Sequence, residues 1–453
     1  MMGLIIATIV SFGTGYLIVK KYKAQTILFL AGIILMGFAI IMGTGVIVAP
    51  EETTGFIWFD ILEFIKITFS SRAAGMGLAI MAVGGFAKYM DGIGASDALV
   101  NIAVKPLKII KSPYVVLAIG YIIGQILNIF IPSASGLGTL LMVTMYPILT
   151  RLGASKLSAT AMIGTSACLD LGPASGNSVL AAQTADISSS IYFTTYQIPV
   201  AIVTIIAIAI SHFFVQKYFD KKENHNISSN IKENHKKSKT DIPKTYAILP
   251  IVPLIVILLF SELVFSNIKL DVVTAMILST MIAMTFEFIR TKDIKKVFSS
   301  IQIFFDGMGT QFAAVVTLIV AGEVFAHGLK VIGAIDTIIL GAQSLGFGSV
   351  MMTIVMVIII SGSAIIMGSG NAPFFAFAAL VPDIATKLSI PAISMLLPMQ
   401  LAAGIARSVS PITAVIVAVC GISEVSPFEV VKRTAIPMLV GLVVVIISSF
   451  ILF

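Results

Sequence analysis

Arg407 carries the most chemistry to explain. It is the only charge between Lys387 and Glu424, in a stretch otherwise made of apolar and small polar residues. An arginine at the centre of a membrane helix costs about 3 kcal/mol on insertion scales and more in simulations. Its planar guanidinium can hold a carboxylate through two parallel hydrogen bonds. One reading is therefore a clamp for the carboxylate of a bound solute, and the other is a structural ion pair. The second has a named partner, because Asp170 is the only charge between Lys156 and Asp186. Asp170 could also serve as a proton or cation site. A mixed case has it hold Arg407 while the site is empty.

Four runs rich in Ser, Gly, Asn and Pro interrupt the apolar segments, at 133–138, 170–177, 369–373 and 407–413. Glycine lets the backbone turn, proline removes a donor, and Ser and Asn satisfy the groups set free. The N-termini of half-helices at such breaks present free N–H groups and a positive dipole end, which suit carboxylate. Freed carbonyls can hold Na⁺. The candidate solute-binding residues are Ser133, Ser135 and Gly136 at the first break, then Ser175, Gly176 and Asn177 at the second. Ser369, Gly370 and Asn371 belong to the third, and Arg407, Ser408, Ser410 and Thr413 to the fourth. The bland alternative is that each break is a packing kink. Four breaks in two matched pairs weigh against it.

The elements that position these residues must sit in lipid. Of 453 residues, 58% are hydrophobic and 11% charged, against about 25% charged in a soluble domain. Mean hydropathy is +1.05. A water-facing surface cannot be built from so few charges, which excludes a cytosolic enzyme, a nucleic-acid-binding protein and a disordered chain. The net charge of +7 is not a nucleic-acid signal, since 217–244 alone holds eight lysines against four acids. The remaining basic excess lies in short clusters beside apolar runs, as the positive-inside rule expects. Two cysteines, Cys168 and Cys420, give no disulfide framework. No phosphate-binding loop, His-Glu-x-x-His, Cys-x-x-Cys or Gly-x-Ser-x-Gly occurs, so no enzyme, no metal and no cofactor is expected.

Apolar segments fall near 4–19, 25–48, 73–90, 113–131, 139–150, 157–185 and 195–216. After the basic linker a second set falls near 247–263, 270–289, 310–328, 350–368, 374–386, 391–421 and 434–453. The run 4–19 reads as a retained span, followed by Lys20 and Lys23, not as a cleaved signal. The two sets match at an offset of 234 to 239: "IGASDAL" at 93–99 with "IGAIDTI" at 332–338, and Pro199 with Pro437. At 237, Asp170 superposes on Arg407. Basic clusters place Lys20 and Lys292 on the cytoplasmic side at the ends of corresponding helix pairs of opposite direction. The expectation is two inverted-topology repeats, 1–216 and 245–453, joined by a cytoplasmic linker at 217–244.

Each repeat needs an odd number of crossings. The arm at 139–150 is too short to span, so 113–150 reads as a re-entrant hairpin and 350–386 as its counterpart. Each half then has about five spans, one hairpin and one broken helix, at 157–185 and 391–421. Both termini are periplasmic in this scheme. Residues 97–110 read as a helix along the cytoplasmic surface. Glu323 and His327, four apart on one face, read as a proton relay or a satisfied contact. Lys88 and Asp91 read as interfacial, and Arg72 and Asp306 as helix-end residues.

The runs "PSASGLG" (132–138), "SGNSVLAAQ" (175–183), "GSGNAPFFAF" (368–377), "RSVSP" (407–411) and "SPFEVVKRT" (426–434) make nearly the whole chain resemble the DcuC family of anaerobic C4-dicarboxylate carriers, within the ion-transporter superfamily. The resemblance implies exchange or proton-coupled symport of succinate, fumarate and malate across a bacterial inner membrane. Coupling to H⁺ or Na⁺ stays open, as does a related carrier for another anion such as an amino acid. The superfamily resemblance implies a homodimer with a static scaffold and a sliding, elevator-type transport domain. On the sequence reading, the two leading helices and the final helix of each half form the scaffold. The segment before each hairpin, the hairpin and the broken helix form the transport domain.

Overall fold

The computed structural model describes residues 2–20, 22–223, 242–261, 264, 265, 267, 268, 270–335, 337, 341 and 348–453. Among these residues there are helices and turns and no strand. In hydrocarbon every backbone polar group must find a partner inside the chain, and a helix achieves this within one segment. Eight of the described helices are long and apolar enough to cross a bilayer, as the composition requires. Positions 224–241 of the linker at 217–244 lie outside the described residues.

The first half opens with α1 (Met2–Val19) and α2 (Ala24–Met42). Helices α3 (Ile57–Arg72) and α4 (Leu78–Gly92) are joined through a π turn at Ala73–Gly77, kinked at non-helical Gly75, into one bent rod of 36 residues. A short helix α5 (Ala95–Ala103) and a 3₁₀ turn (Lys105–Ile109) cover the stretch read as a surface helix. The hairpin arms are α6 (Pro113–Phe130), then α7 (Ala134–Thr144) and α8 (Tyr146–Arg151). The broken helix is α9 (Lys156–Gly164) and α10 (Gly176–Thr184). After α11 (Ser189–Ile191), the half ends in α12 (Ile198–Lys222).

The same order recurs. A 3₁₀ turn leads to α13 (Val252–Leu259) and α14 (Val272–Thr291). Helices α15 (Ile294–Gln311) and α16 (Thr317–Val331) join through a π turn at Phe312–Val316 into a rod of 38 residues. Arms α17 (Ser349–Met367), α18 (Asn371–Ala378) and α19 (Val381–Leu388) follow. Helices α20 (Ile393–Arg407) and α21 (Ala414–Ser423) are the second broken pair, and α22 (Pro427–Leu452) closes the chain.

Both rods start about 16 residues before the apolar runs at 73–90 and 310–328. Arg72 is the last residue of α3, just before the kink at Gly75, as expected of a helix-end residue. Asp306 instead lies inside α15. Arg72 Nε donates to Glu323 Oε2 at 2.7 Å, joining one rod to the other. Glu323 is thereby engaged, while His327 Nε2 lies 2.8 Å from the Ile47 carbonyl and its ring stacks on Phe64. The relay reading of that pair does not hold, because each member is committed elsewhere. The rods cross with glycine facing glycine: a Cβ on Gly307 would lie 2.7 Å from the Gly85 Cα, and one on Gly84 would strike Gln311. Small residues let helix backbones approach where lipid offers no hydrophobic drive to associate.

Packing divides the helices differently from the expectation. The rods pack on α2 and α14, and α16 also on the hairpin arm α18, whereas α12 and α22 pack on each other and on the broken helices and arms. The reason is polar. Arg433, fully buried and inside α22, donates to Asp220 Oδ1 at 2.6 Å and to Ser158 Oγ at 2.7 Å. Asp220 also accepts from Ser155 Oγ at 2.6 Å, and Glu223 accepts from Arg433 Nη2 at 2.6 Å. Thr434 Oγ1 donates to the Ser408 carbonyl of the second break at 3.0 Å. The final helices thus belong with the broken helices, and the segments before the hairpins with the leading helices. Helix α12 also runs to Lys222, past the expected boundary at 216, because Asp220 must reach this cluster.

Candidate functional site: a polar cavity between two broken helices and two hairpin tips

The hairpin tips are tighter than the runs that announced them. Helix α6 ends at Phe130 and α7 begins at Ala134, so only 131–133 is irregular. Ser133 caps α7, its hydroxyl accepting from Gly136 N at 3.2 Å. Ser135 and Gly136 therefore lie in the first turn of a helix and not in a loop. At the second tip Gly368 caps α17 in the left-handed region, φ 68°. Asn371 opens α18, and Ser369 Oγ accepts from Ala372 N at 3.4 Å.

The first helix break is longer than the sequence run. Helix α9 stops at Gly164, and α10 starts at Gly176. The intervening turns carry Asp170 at φ 48° and Gly172 at φ 108°. The second break, 408–413, falls within the run marked for it. Burying so much free backbone demands donors and acceptors, and four amide side chains supply them. Gln125 Nε2 donates to the Thr165 carbonyl at 3.0 Å, and Gln400 Nε2 to the Leu169 carbonyl at 3.1 Å. Gln197 Oε1 accepts from Gly172 N at 3.0 Å, and its Nε2 donates to Gln400 Oε1 at 3.0 Å. Asn128 accepts from Leu171 N and donates to the Ile131 carbonyl, both at 3.3 Å, tying the break to the tip. None of the four featured in the sequence reading. Their signal was a neutral amide in the middle of an apolar run.

The two breaks meet at an ion pair. Arg407 Nη2 lies 2.6 Å from Asp170 Oδ1 and 2.8 Å from the Ala167 carbonyl, with both side chains about nine-tenths buried or more. The other carboxylate oxygen, Asp170 Oδ2, accepts from Asn177 Nδ2 at 2.8 Å. The same amide reaches Asn371 Oδ1 of the second tip at 3.1 Å. One chain of contacts therefore links break two, break one and tip two. The Nε of Arg407 is buried and has no partner. A Cβ on Gly404 would sit 2.3 Å from the Cys168 carbonyl, so glycine there admits break one against α20.

A cavity of about 410 Å³ opens onto this chain, within the ~300–1,000 Å³ usual for small-molecule sites. Ser133, Ser135, Asp170, Ser175, Gly176 and Asn177 line it from the first half. Ser369, Gly370, Asn371, Arg407 and Thr413 line it from the second. Three expected residues do not. Gly136 spends its N–H on the Ser133 cap. Ser408 Oγ turns back to the Gly404 carbonyl at 3.2 Å, and Ser410 is wholly buried with no partner for its hydroxyl. Lys88 and Asp91 of α4 and Gln311 of α15 line it as well, so the two charges read as interfacial also face this cavity.

An all-helical chain able to cross a bilayer several times, with two broken helices and two tips around one polar cavity, has the build of a membrane transporter. Its fold is similar to that of the Alcanivorax borkumensis YdaH transporter, with a TM-score of 0.59 and 13% identity over 95% of this chain and 98% of that one. Neisseria gonorrhoeae MtrF, from a class of antimetabolite efflux pumps, gives 0.56 and 12% over 94% and 95%. At that identity the likeness concerns fold alone. The chain belongs to the DcuC family, described as "C4-dicarboxylate anaerobic carrier", whose profile matches residues 2–453. It is 40% identical to the anaerobic C4-dicarboxylate transporter DcuC of Escherichia coli K12 over 98% of this chain and 96% of that protein. It is 37% identical to the probable anaerobic C4-dicarboxylate transporter DcuC of Vibrio cholerae over 100% and 98%.

Proposed function

We propose that this protein is a secondary carrier of C4-dicarboxylates such as succinate, fumarate and malate, and that the cavity at Arg407 is its substrate site. The observation that carries the reading is a buried arginine in the cavity wall whose Nε has no partner. Nη2 is held by Asp170 and Ala167, which fixes the guanidinium in place. A substrate carboxylate completes the set at the free edge, with the Ser and Asn side chains and tip amides around it. A dianion seated there meets the Asp170 carboxylate, and a proton on Asp170 relieves the repulsion. The carbonyls of Thr165, Ala167, Leu169 and Asp170 already accept from side-chain donors, which favours exchange or proton coupling over a sodium site at break one.

The two halves act as inverted repeats in a bacterial inner membrane, with the linker cytoplasmic and both termini periplasmic. Tips, broken helices, α12 and α22 move as one body against the rods and leading helices, in an elevator-type cycle within a homodimer. Impermeant labels that put Lys20 and Lys292 on different faces would overturn the inversion. The functional test is counterflow in proteoliposomes. Labelled succinate accumulates against unlabelled succinate, fumarate or malate inside, and Arg407→Ala lowers the rate about 100-fold or more while the protein still inserts. Absence of counterflow in the native protein, or undiminished counterflow in the variant, contradicts the proposal. A competition panel including amino acids identifies any other anionic cargo.

A further inference from the structure

We propose that Lys88 is the second carboxylate anchor, the residue that makes the site select two-carboxylate solutes over one-carboxylate solutes; this rests on the dicarboxylate reading above. Arg407 alone does not recognise a dianion, because Asp170 at 2.6 Å offsets its charge. A second cation must come from another element. Helix α4 turns one stripe to the cavity, with Ile80, Gly84, Ala87, Lys88 and Asp91 at helical spacing. Lys88 is the only cation among the described lining residues besides Arg407.

Its placement is built and not incidental. Helix α15 crosses α4 at Gly307, where a Cβ would sit 3.0 Å from the Lys88 Cβ. That crossing fixes the root of the lysine stem at the cavity wall. The side chain is exposed within the structure and forms no ion pair with any described residue. Asp91, one turn along the same stripe, is the nearest rival for its charge. The ammonium is a mobile point charge on a four-carbon stem, suited to following the far carboxylate of solutes of slightly different shape. Arg407 and Lys88 line the cavity from different elements, one from the broken helices and one from a rod. A single carboxylate engages only one of them, and a dicarboxylate engages both.

The test uses the full chain in nanodiscs, with succinate and butyrate as probes of equal carbon number and different charge. Lys88→Gln weakens succinate binding about 10- to 100-fold, the span of one charge-assisted hydrogen bond, and leaves butyrate within about twofold. Asp91→Asn shifts succinate affinity the other way. In Lys88→Cys, aminoethylation of the thiol returns the charge and restores succinate binding, so a folding defect is told apart from a lost contact. Equal loss of both ligands, unchanged succinate binding or failed chemical rescue overturns the role of Lys88. If the native protein binds neither acid, the dicarboxylate reading falls and this inference with it.

Discussion

Asp170 and Arg407 are oppositely charged residues, each alone in an apolar stretch, and they meet in the structure. Removing one partner of a buried pair costs roughly 3–5 kcal/mol because the other is left uncompensated. The ion-pair reading of Arg407 is what the structure shows, and on the proposed function the same guanidinium also meets the substrate. Asp170→Asn keeps the shape while removing the charge, and its single amide oxygen can accept from Arg407 or from Asn177 but not from both. Succinate binding in this variant stays within a few-fold of native or tightens, whereas proton-driven net uptake falls about tenfold or more. Full uptake with unchanged pH dependence would remove Asp170 from coupling. The lone charges were legible because a charge in an apolar run is costly and demands a reason. Gln125, Asn128, Gln197 and Gln400 were not, because a neutral amide carries no comparable insertion cost. Lys88 and Asp91 stand at the end of α4, where the sequence reads them as interfacial, and their place in the cavity wall was not legible because an apolar pattern does not show what a helix end faces.

At the scale of elements, breaks and tips were legible from Gly, Pro, Ser and Asn runs, but partnership between helices was not. Periodicity says that a helix has a buried face and not what covers it. The placement of α12 and α22 turns on Arg433, which stands just before the apolar run 434–453 and which the structure buries against Asp220 and Glu223. Arg433→Met leaves Asp220 buried with only neutral donors, the Ser155 N–H and nearby hydroxyls, and should cost about 3–5 kcal/mol in denaturant unfolding of the detergent-solubilised protein. Pairing it with Asp220→Leu should recover most of that loss, since well-packed apolar replacements of a buried pair are often neutral. If the single variant is as stable as the native protein, the cluster does not bind the final helices to the broken ones. The rods carry a further signature the composition could not give. Both contain a π turn, at Ala73–Gly77 and Phe312–Val316, a feature that is frequent near functional sites.

At the scale of the whole molecule, the recurring order of rod, hairpin, broken helix and final helix brings four irregular stretches of backbone to one polar cavity. Irregular backbone survives at membrane depth only where protein or a cavity satisfies it, and here the amides, the ion pair and the tip caps do so. Arg407 Nε and Asn177 Oδ1 are buried without a hydrogen-bond partner, in two residues that line the cavity. The account places the substrate there. The most direct measurement is a cryo-electron microscopy map of the full chain in nanodiscs with saturating fumarate. The account predicts density for a four-carbon dianion within hydrogen-bonding distance of Arg407, between the tips at 133–135 and 369–371 and facing Lys88. Fumarate bound elsewhere, or a closed and empty cavity at saturation, would contradict it.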